Sequence, residues 1–102
     1  MLEREVEGRL KREVRKAVPE ALCLKFESPG CTGVPDRIVF LPGGHIVLVE
    51  TKRPGKKERR RQEYIQGRMR ELGFDVFSAV NSGEKIEAVL SRIREVTESR
   101  GV

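Results

Sequence analysis

At 102 residues the chain has room for one domain, 1–102, hiding somewhat over roughly 60% of the surface its unfolded form exposes. Apolar content is ordinary at 37%, charged content is high at 36%, and no run approaches the ~18 apolar residues of a membrane-spanning helix. A helical membrane protein is therefore not expected. Met1 to Arg12 alternates charge with apolar residues where a secretory signal would build an apolar block, so the expected setting is cytoplasmic.

In chain order, Glu3 to Lys16 reads as an amphipathic helix, with Leu2, Val6, Leu10, Val14 and Ala17 at helical spacing and Pro19 soon after as a stop. Ala21 to Phe26 suits a short strand, followed by a turn-rich loop through Ser28-Pro29-Gly30 and Gly33. Asp36 to Leu41 and His45 to Thr51 are β-branched strands joined by Pro42-Gly43-Gly44, a hairpin signal. After Pro54-Gly55, Lys57 to Leu72 carries a helical stripe of Ile65, Met69 and Leu72, with Gly73 placed as a C-terminal cap. Phe74 to Val80 returns as a strand, and Asn81-Ser82-Gly83 leads into a last helix bearing Ile86, Val89, Leu90 and Ile93 on one face. The order α-β-β-β-α-β-α predicts an α/β domain with a mixed sheet flanked by helices. Gly8 and Gly67 each cost a helix interior about 1 kcal/mol relative to Ala, which points to close packing or an interface at each.

Cys23 and Cys31 lie too far apart for a Cys-x-x-Cys site, and the single His45 offers them no zinc partnership, so both read as reduced thiols. Charge is concentrated. Lys52 to Arg61 holds seven basic residues (Lys52, Arg53, Lys56, Lys57, Arg59, Arg60, Arg61) and the single acid Glu58, a net +6, so the other 92 residues sum to −1 within the overall +5. Such a block suits a polyanion such as nucleic acid, with a solvated helix end as the plainer explanation. Because a helix N-terminus carries partial positive charge, cations opening a helix break a local rule, and such breaks often mark function.

The hairpin brings the chemistry together. A three-residue loop at Pro42 to Gly44 pairs Leu41 with His45, then Phe40 with Ile46, Ile38 with Leu48 and Asp36 with Glu50, while period-two alternation adds Lys52 to the Glu50 face. Opposed like charges ~4.5–5.5 Å apart at Cβ destabilise a sheet. A divalent cation relieves that repulsion, and Mg²⁺, with Mn²⁺ as a substitute, needs only one or two carboxylates and keeps places for water and a phosphate. Such an ion lowers the pKa of bound water and neutralises charge on the phosphate under attack. Lys52 would orient or help deprotonate the water, or stabilise developing charge. His45 alternates onto the face opposite Asp36 at the far strand end and reads as a hairpin-end polar residue.

Gly33-Val34-Pro35-Asp36, thirteen intervening residues and then Glu50-Thr51-Lys52 resemble the signature of the PD-(D/E)XK nucleases. Lys25-Phe26, Ser28-Pro29-Gly30, Gly33, Gln62 and Leu72-Gly73 extend the resemblance to the stand-alone VRR-NUC family. The resemblance implies a restriction-endonuclease-like core. It also implies Asp36, Glu50 and Lys52 as catalytic residues, and Asp36, Glu50 and the Thr51 carbonyl as metal ligands. The family further places a glutamate of the first helix near the metal, and Glu3, Glu7 and Glu13 compete for it. At about 100° per residue, Glu3 and Glu13 lie about 40° either side of the apolar stripe's middle and Glu7 about 80° away. Glu3 is the expected ligand, Glu7 the second choice.

The expected DNA contacts are Lys25, Arg53, Lys56, Lys57, Arg59, Arg60, Arg61 and Gln62. The implied function is a Mg²⁺-dependent DNA endonuclease of bacterial or phage origin, serving repair or recombination. It is expected to act as a homodimer on branched DNA such as a four-way (Holliday) junction, without a nucleotide cofactor. A non-catalytic nucleic-acid-binding module and a flap- or restriction-type nuclease are the alternatives. Binding alone would leave the Asp36–Glu50 repulsion unexplained.

Overall fold

A computed structural model of the chain describes residues 2–52 and 59–100. The elements are α1 (Glu3–Ala17), β1 (Leu22–Lys25), β2 (Arg37–Phe40), β3 (Ile46–Thr51), α2 (Arg60–Glu71), β4 (Asp75–Val80) and α3 (Gly83–Arg100), in the order read from the sequence. The four strands lie side by side in chain order, with β1–β2 and β2–β3 antiparallel and β3–β4 parallel, which makes the sheet mixed. A parallel step needs a crossover, and α2 supplies it.

The hairpin has the expected register, Phe40 opposite Ile46 and Ile38 opposite Leu48, closed by Leu41 N–H donating to the His45 carbonyl at 2.9 Å. Gly43 and Gly44 have φ of 86° and 85°, the left-handed region that a short loop demands and a side chain resists. Alternation then sorts the sheet. Val39, Val47 and Val49 face α1 and α3, meeting Val6, Leu10 and Val14 of the first helix and Ile86, Val89, Leu90 and Ile93 of the last, in one buried cluster. Each of these side chains is worth about 1.5–3 kcal/mol on removal from water, so this layer dominates stability.

The other face is covered unevenly. α2 packs over the β4 edge, while Leu22, Leu24 and Phe40 on β1 and β2 remain 57%, 47% and 39% exposed. The stripe expected on α2 is not its buried side: Ile65 and Met69 are half-buried, Leu72 is 69% exposed, and the buried residue is Gln66. Polar packing has replaced an apolar seam. The close packing expected at Gly67 is absent, with open space where its Cβ would be, and at Gly8 only the flexible end of Arg12 approaches.

The β3–β4 ladder is irregular between Val49 and Thr51, and near it Ala79 takes φ 53°. A non-glycine residue there costs on the order of 1–2 kcal/mol. The irregularity returns Val80 to the core opposite Thr51 and lets Lys52 N–H donate to the Val80 carbonyl at 2.9 Å. The end of β3 is thereby fixed from both sides.

Candidate active site

Asp36 stands just before β2, where its carbonyl accepts from Phe26 N–H at 2.8 Å and so continues the β1–β2 ladder by one rung. Its carboxylate turns onto the end of β3: Oδ1 accepts from Thr51 N–H at 2.6 Å and Oδ2 from the Thr51 hydroxyl at 2.7 Å. Thr51 Oγ1 also lies 3.3 Å from Glu7 Oε1, and Arg37 donates to Glu7 Oε2 at 3.3 Å. This half of the site therefore lies between β3 and α1. Only odd positions of β3 face α1, so Asp36 meets Thr51 by wrapping around the strand end, while Glu50 points to the opposite side.

There Glu50, 4% exposed, is held by α2. Gln62 donates to its Oε2 at 2.9 Å, Gln66 to its Oε1 at 3.1 Å, and the Lys52 ammonium lies 3.2 Å from Oε2. Gln62 also caps α2, its Oε1 accepting from Arg59 N–H at 3.0 Å. Gln66 is fully buried, and its other end accepts from the Ser78 hydroxyl, which in turn accepts from Arg70 at 2.6 Å. A chain of donors thus runs from the surface at Arg70 to the Glu50 carboxylate. Gly33, with φ 96°, passes so close to α2 that an added Cβ would sit 2.7 Å from the Arg61 carbonyl oxygen. Gly33→Ala should therefore push α2 off Glu50 and destabilise the protein by on the order of 2–4 kcal/mol, strain and clash together; thermal melting checks it, and an unchanged midpoint would show that the loop yields instead.

The carboxylates are coupled. Burial, the hydrogen bond with Glu7 and the charge of Glu50 outweigh the two bonds from Thr51, and Asp36 is pushed up to about 6. Burial pushes Glu7 up as well, but hydrogen bonds with Asp36, Arg37 and Thr51 and the Arg37 charge prevail and hold it below the usual carboxylate value. Of the two, Asp36 is thus the one that takes up a proton first as pH falls. Crowded acids of this kind characterise sites that take a cation.

The residues fit a hard divalent ion by their chemistry, since the carboxylate oxygens of Asp36 and Glu7 lie on one side of the end of β3 and those of Glu50 on the other, near enough for the Glu50 charge to act on Asp36. Among the described residues no group of three acidic, histidine or cysteine side chains is placed to hold a metal ion. Asp36 is engaged by Thr51 and Glu50 by Lys52 and the two glutamines. Mg²⁺ does not require such a group, because one or two carboxylates suffice beside water and phosphate.

Glu7, rather than Glu3, is the first-helix carboxylate at this centre; Glu3 is exposed and Glu13 half-buried, and neither has a side-chain partner at the site among the described residues. The apolar stripe misled because Glu7 is drawn across by Arg37 and Thr51, two partners that a helical wheel does not contain. Lys25 is exposed and pairs with Glu27 at 3.4 Å, away from the carboxylates. Arg59, Arg60 and Arg61 are exposed at the start of α2, Arg61 lying over the Tyr64 ring at 5.6 Å. Arg53, Lys56 and Lys57 fall outside the described residues. Cys23 and Cys31 are free thiols, and His45 sits at the far hairpin end, 2.7 Å from Asp75. Gln66, Arg37 and Ser78 carry no motif and were not singled out from the sequence; the only signal for Gln66 was a glutamine one turn beyond Gln62.

No family model matches the sequence. A protein of Acyrthosiphon pisum secondary endosymbiont phage 1, described as "Putative nuclease p44", is 45% identical over 71 residues, which make up 70% of this chain and 74% of that one. A solved structure described as a VRR_NUC domain matches with a TM-score of 0.68 at 29% identity, over 84% of this chain and 95% of the other. Sequence relationship, fold and the arrangement of Asp36, Glu50, Thr51 and Lys52 at the end of β3 agree: the chain belongs to the VRR-NUC family.

Proposed function

We propose that the protein is a divalent-metal-dependent deoxyribonuclease, acting as a homodimer on branched DNA with the four-way junction as preferred substrate. The observation that carries this is that Asp36 with Glu7 and Glu50 with Lys52 flank the same end of β3, the Glu50 charge acting on Asp36. Asp36, Glu50 and the Thr51 carbonyl would hold the ion, with Glu7 close enough to join or to bind through water. When bound, Mg²⁺ supplies Lewis acidity and an activated water for phosphodiester hydrolysis. Lys52, half-buried beside Glu50, keeps an ammonium at the place where charge develops on the phosphate. Gln62 and Gln66 fix the Glu50 carboxylate so that its direction does not drift, and the exposed Arg59, Arg60 and Arg61 supply charge for a DNA backbone.

Two points support the dimer and the branched substrate. Each chain has one such centre, so coordinated cutting of two strands calls for two chains, and closed two-fold pairing is the commonest oligomer. Phe40 on the uncovered sheet face is apolar surface that a second chain would bury. Among the described residues no base-reading element stands apart from the nuclease fold, which favours recognition of DNA shape over recognition of sequence.

The test is cleavage of junction, flap and linear duplex at matched concentrations with Mg²⁺, with Mn²⁺ and in chelator, alongside light scattering for mass. Cutting in either metal and none in chelator is expected. Lys52→Arg keeps the charge beside Glu50 but changes its shape, and should fold normally while cutting roughly 10²–10³-fold more slowly. A monomer that cuts linear duplex as well as junction would remove the dimer and the branched substrate while leaving the nuclease. DNA binding without cutting in any metal would favour the non-catalytic module.

A further inference from the structure

The charge of this chain is not confined to the Lys52–Arg61 block. Residues 9 to 16 on the second half of α1 contain Arg9, Lys11, Arg12, Arg15 and Lys16 against the single acid Glu13, a net +4. With +6 on the other block and +5 overall, the remaining 84 residues sum to −5. Two cationic clusters therefore stand on an otherwise acidic protein.

Lys11 and Arg15 border a groove between α1 and the sheet edge. Val14 lies with them on the helix side, and Leu22, Cys23 and Leu24 of β1 form the opposite wall. Glu7, Lys11 and Arg15 are four residues apart, so they form one stripe on the helix, about 6 Å between successive members along the axis. Glu7 belongs to the candidate active site. β1 runs antiparallel to β2, with Lys25 beside Arg37 and Leu22 beside Phe40, so the groove leaves the carboxylates at one end and reaches Leu22 at the other. Arg37, Lys11, Asp36 and Glu7 all act electrostatically on Cys23, which places the groove floor within the field of the site.

The cations of this groove are not consumed by the fold. Arg37, Arg68, Arg92 and Arg94 each have a carboxylate partner, whereas Lys11 and Arg15 have none among the described residues. Arg15 also lies in the last turn of α1, where a cation favours the helix dipole by about 0.3–1 kcal/mol. Lys11 has no such reason, being more than a turn further in.

We infer that this groove is a second binding site for the sugar-phosphate backbone of DNA, with Lys11 and Arg15 contacting phosphates that flank the one at the Asp36–Glu50 centre. The inference rests on the nuclease reading. It adds a contact on α1 that the α2 block does not provide, and it sets the path of the strand: from the end of β3 along the helix towards Pro19. The apolar floor excludes a bare ion cluster and suits the deoxyribose edge of a strand, while the acidic remainder of the surface repels DNA from competing orientations.

The test is the salt dependence of DNA affinity, measured by fluorescence anisotropy in chelator so that nothing is cut, for wild type, Lys11→Gln with Arg15→Gln, and a control of equal charge change on α3, Lys85→Gln with Arg94→Gln. Two lost duplex contacts should lower the slope of log K against log salt by about 1.8, and melting should confirm that the variant folds. The α3 control should keep the wild-type slope. An unchanged slope in the α1 variant, with wild type binding and cutting DNA, overturns the groove and leaves the nuclease standing. Equal losses in both variants also overturn it, because the effect is then overall charge. Wild type that neither binds nor cuts DNA overturns both readings.

Discussion

Asp36→Asn should abolish DNA cleavage and, at pH 8 in chelator, raise the melting temperature of the protein. Both effects have one cause. In the folded chain Asp36 is partly buried beside two other carboxylates, and its pKa is pushed up from 3.8 to about 6. A group whose folded pKa is raised contributes stability that is fully present below its unfolded value and is lost as pH rises through the folded one. Its ionised form is therefore a burden above about pH 6, on the order of 2 kcal/mol after allowance for its partial exposure to solvent. Asparagine removes the charge, keeps one oxygen to accept from Thr51, and should raise the midpoint by roughly 8–16 °C in a domain of this size. The ion that the carboxylate would hold has the opposite effect: Mg²⁺ should raise the midpoint of wild type at pH 8, less at pH 5, and not that of the variant. Glu7→Gln should weaken the Mg²⁺ response and Glu3→Gln leave it intact, since only Glu7 reaches Thr51 and Arg37. The measurement is melting against pH and Mg²⁺ together with a cleavage assay. An Asp36→Asn protein that still cuts DNA would defeat the proposed chemistry, and one that melts lower in chelator would defeat the electrostatic account of the site.

The fold was legible in the sequence where burial follows period. Val6, Leu10 and Val14, then Ile86, Val89, Leu90 and Ile93, recur at helical spacing, and they are the residues that fill the core. The hairpin could be counted from its ends because Gly43 and Gly44 permit only a short loop, and the count placed Ile38 against Leu48. What failed was α2, whose buried side is polar: no hydrophobic periodicity can announce Gln66, and the half-buried Ile65 and Met69 supplied a stripe in its place. The site was legible in its spacing but not in its directions. Register places Asp36 opposite Glu50, yet Asp36 lies outside β2, and a side chain there is free to reach around to Thr51. The choice between Glu3 and Glu7 depended on Arg37, a residue of another element, and the left-handed Ala79 that fixes the end of β3 has a sequence typical of any strand.

Gln66→Leu should be the most damaging single change on α2. Leucine matches glutamine roughly in volume, so packing is preserved and the loss is polar. Glu50 Oε1 would lose the Gln66 donor inside the fold, and the half-buried Ser78 hydroxyl would lose its acceptor. Removing one hydrogen-bonding partner of a buried polar group costs about 1–3 kcal/mol, and more when the group is charged. A total on the order of 3 kcal/mol corresponds to a fall of roughly 12–24 °C in melting temperature. Gln62→Leu should cost less, because Gln62 is only half-buried and Lys52 remains beside the same Glu50 oxygen. The functional consequence separates this from ordinary core damage. Glu50 without Gln66 can rotate, so the Mg²⁺ concentration needed for cleavage, and for thermal stabilisation, should rise roughly 10–100-fold, as for other groups that orient a metal ligand. Ser78→Ala supplies the test if Gln66→Leu proves too unstable to purify: it leaves Glu50 and Gln66 in place, removes only the donor that fixes the amide, and should move the Mg²⁺ requirement in the same direction by a smaller factor. A Gln66→Leu protein that melts within about 2 °C of wild type would show that the network carries no stability. A Ser78→Ala protein with an unshifted Mg²⁺ midpoint would show that the Arg70–Ser78–Gln66 chain does not reach the metal-binding end of Glu50.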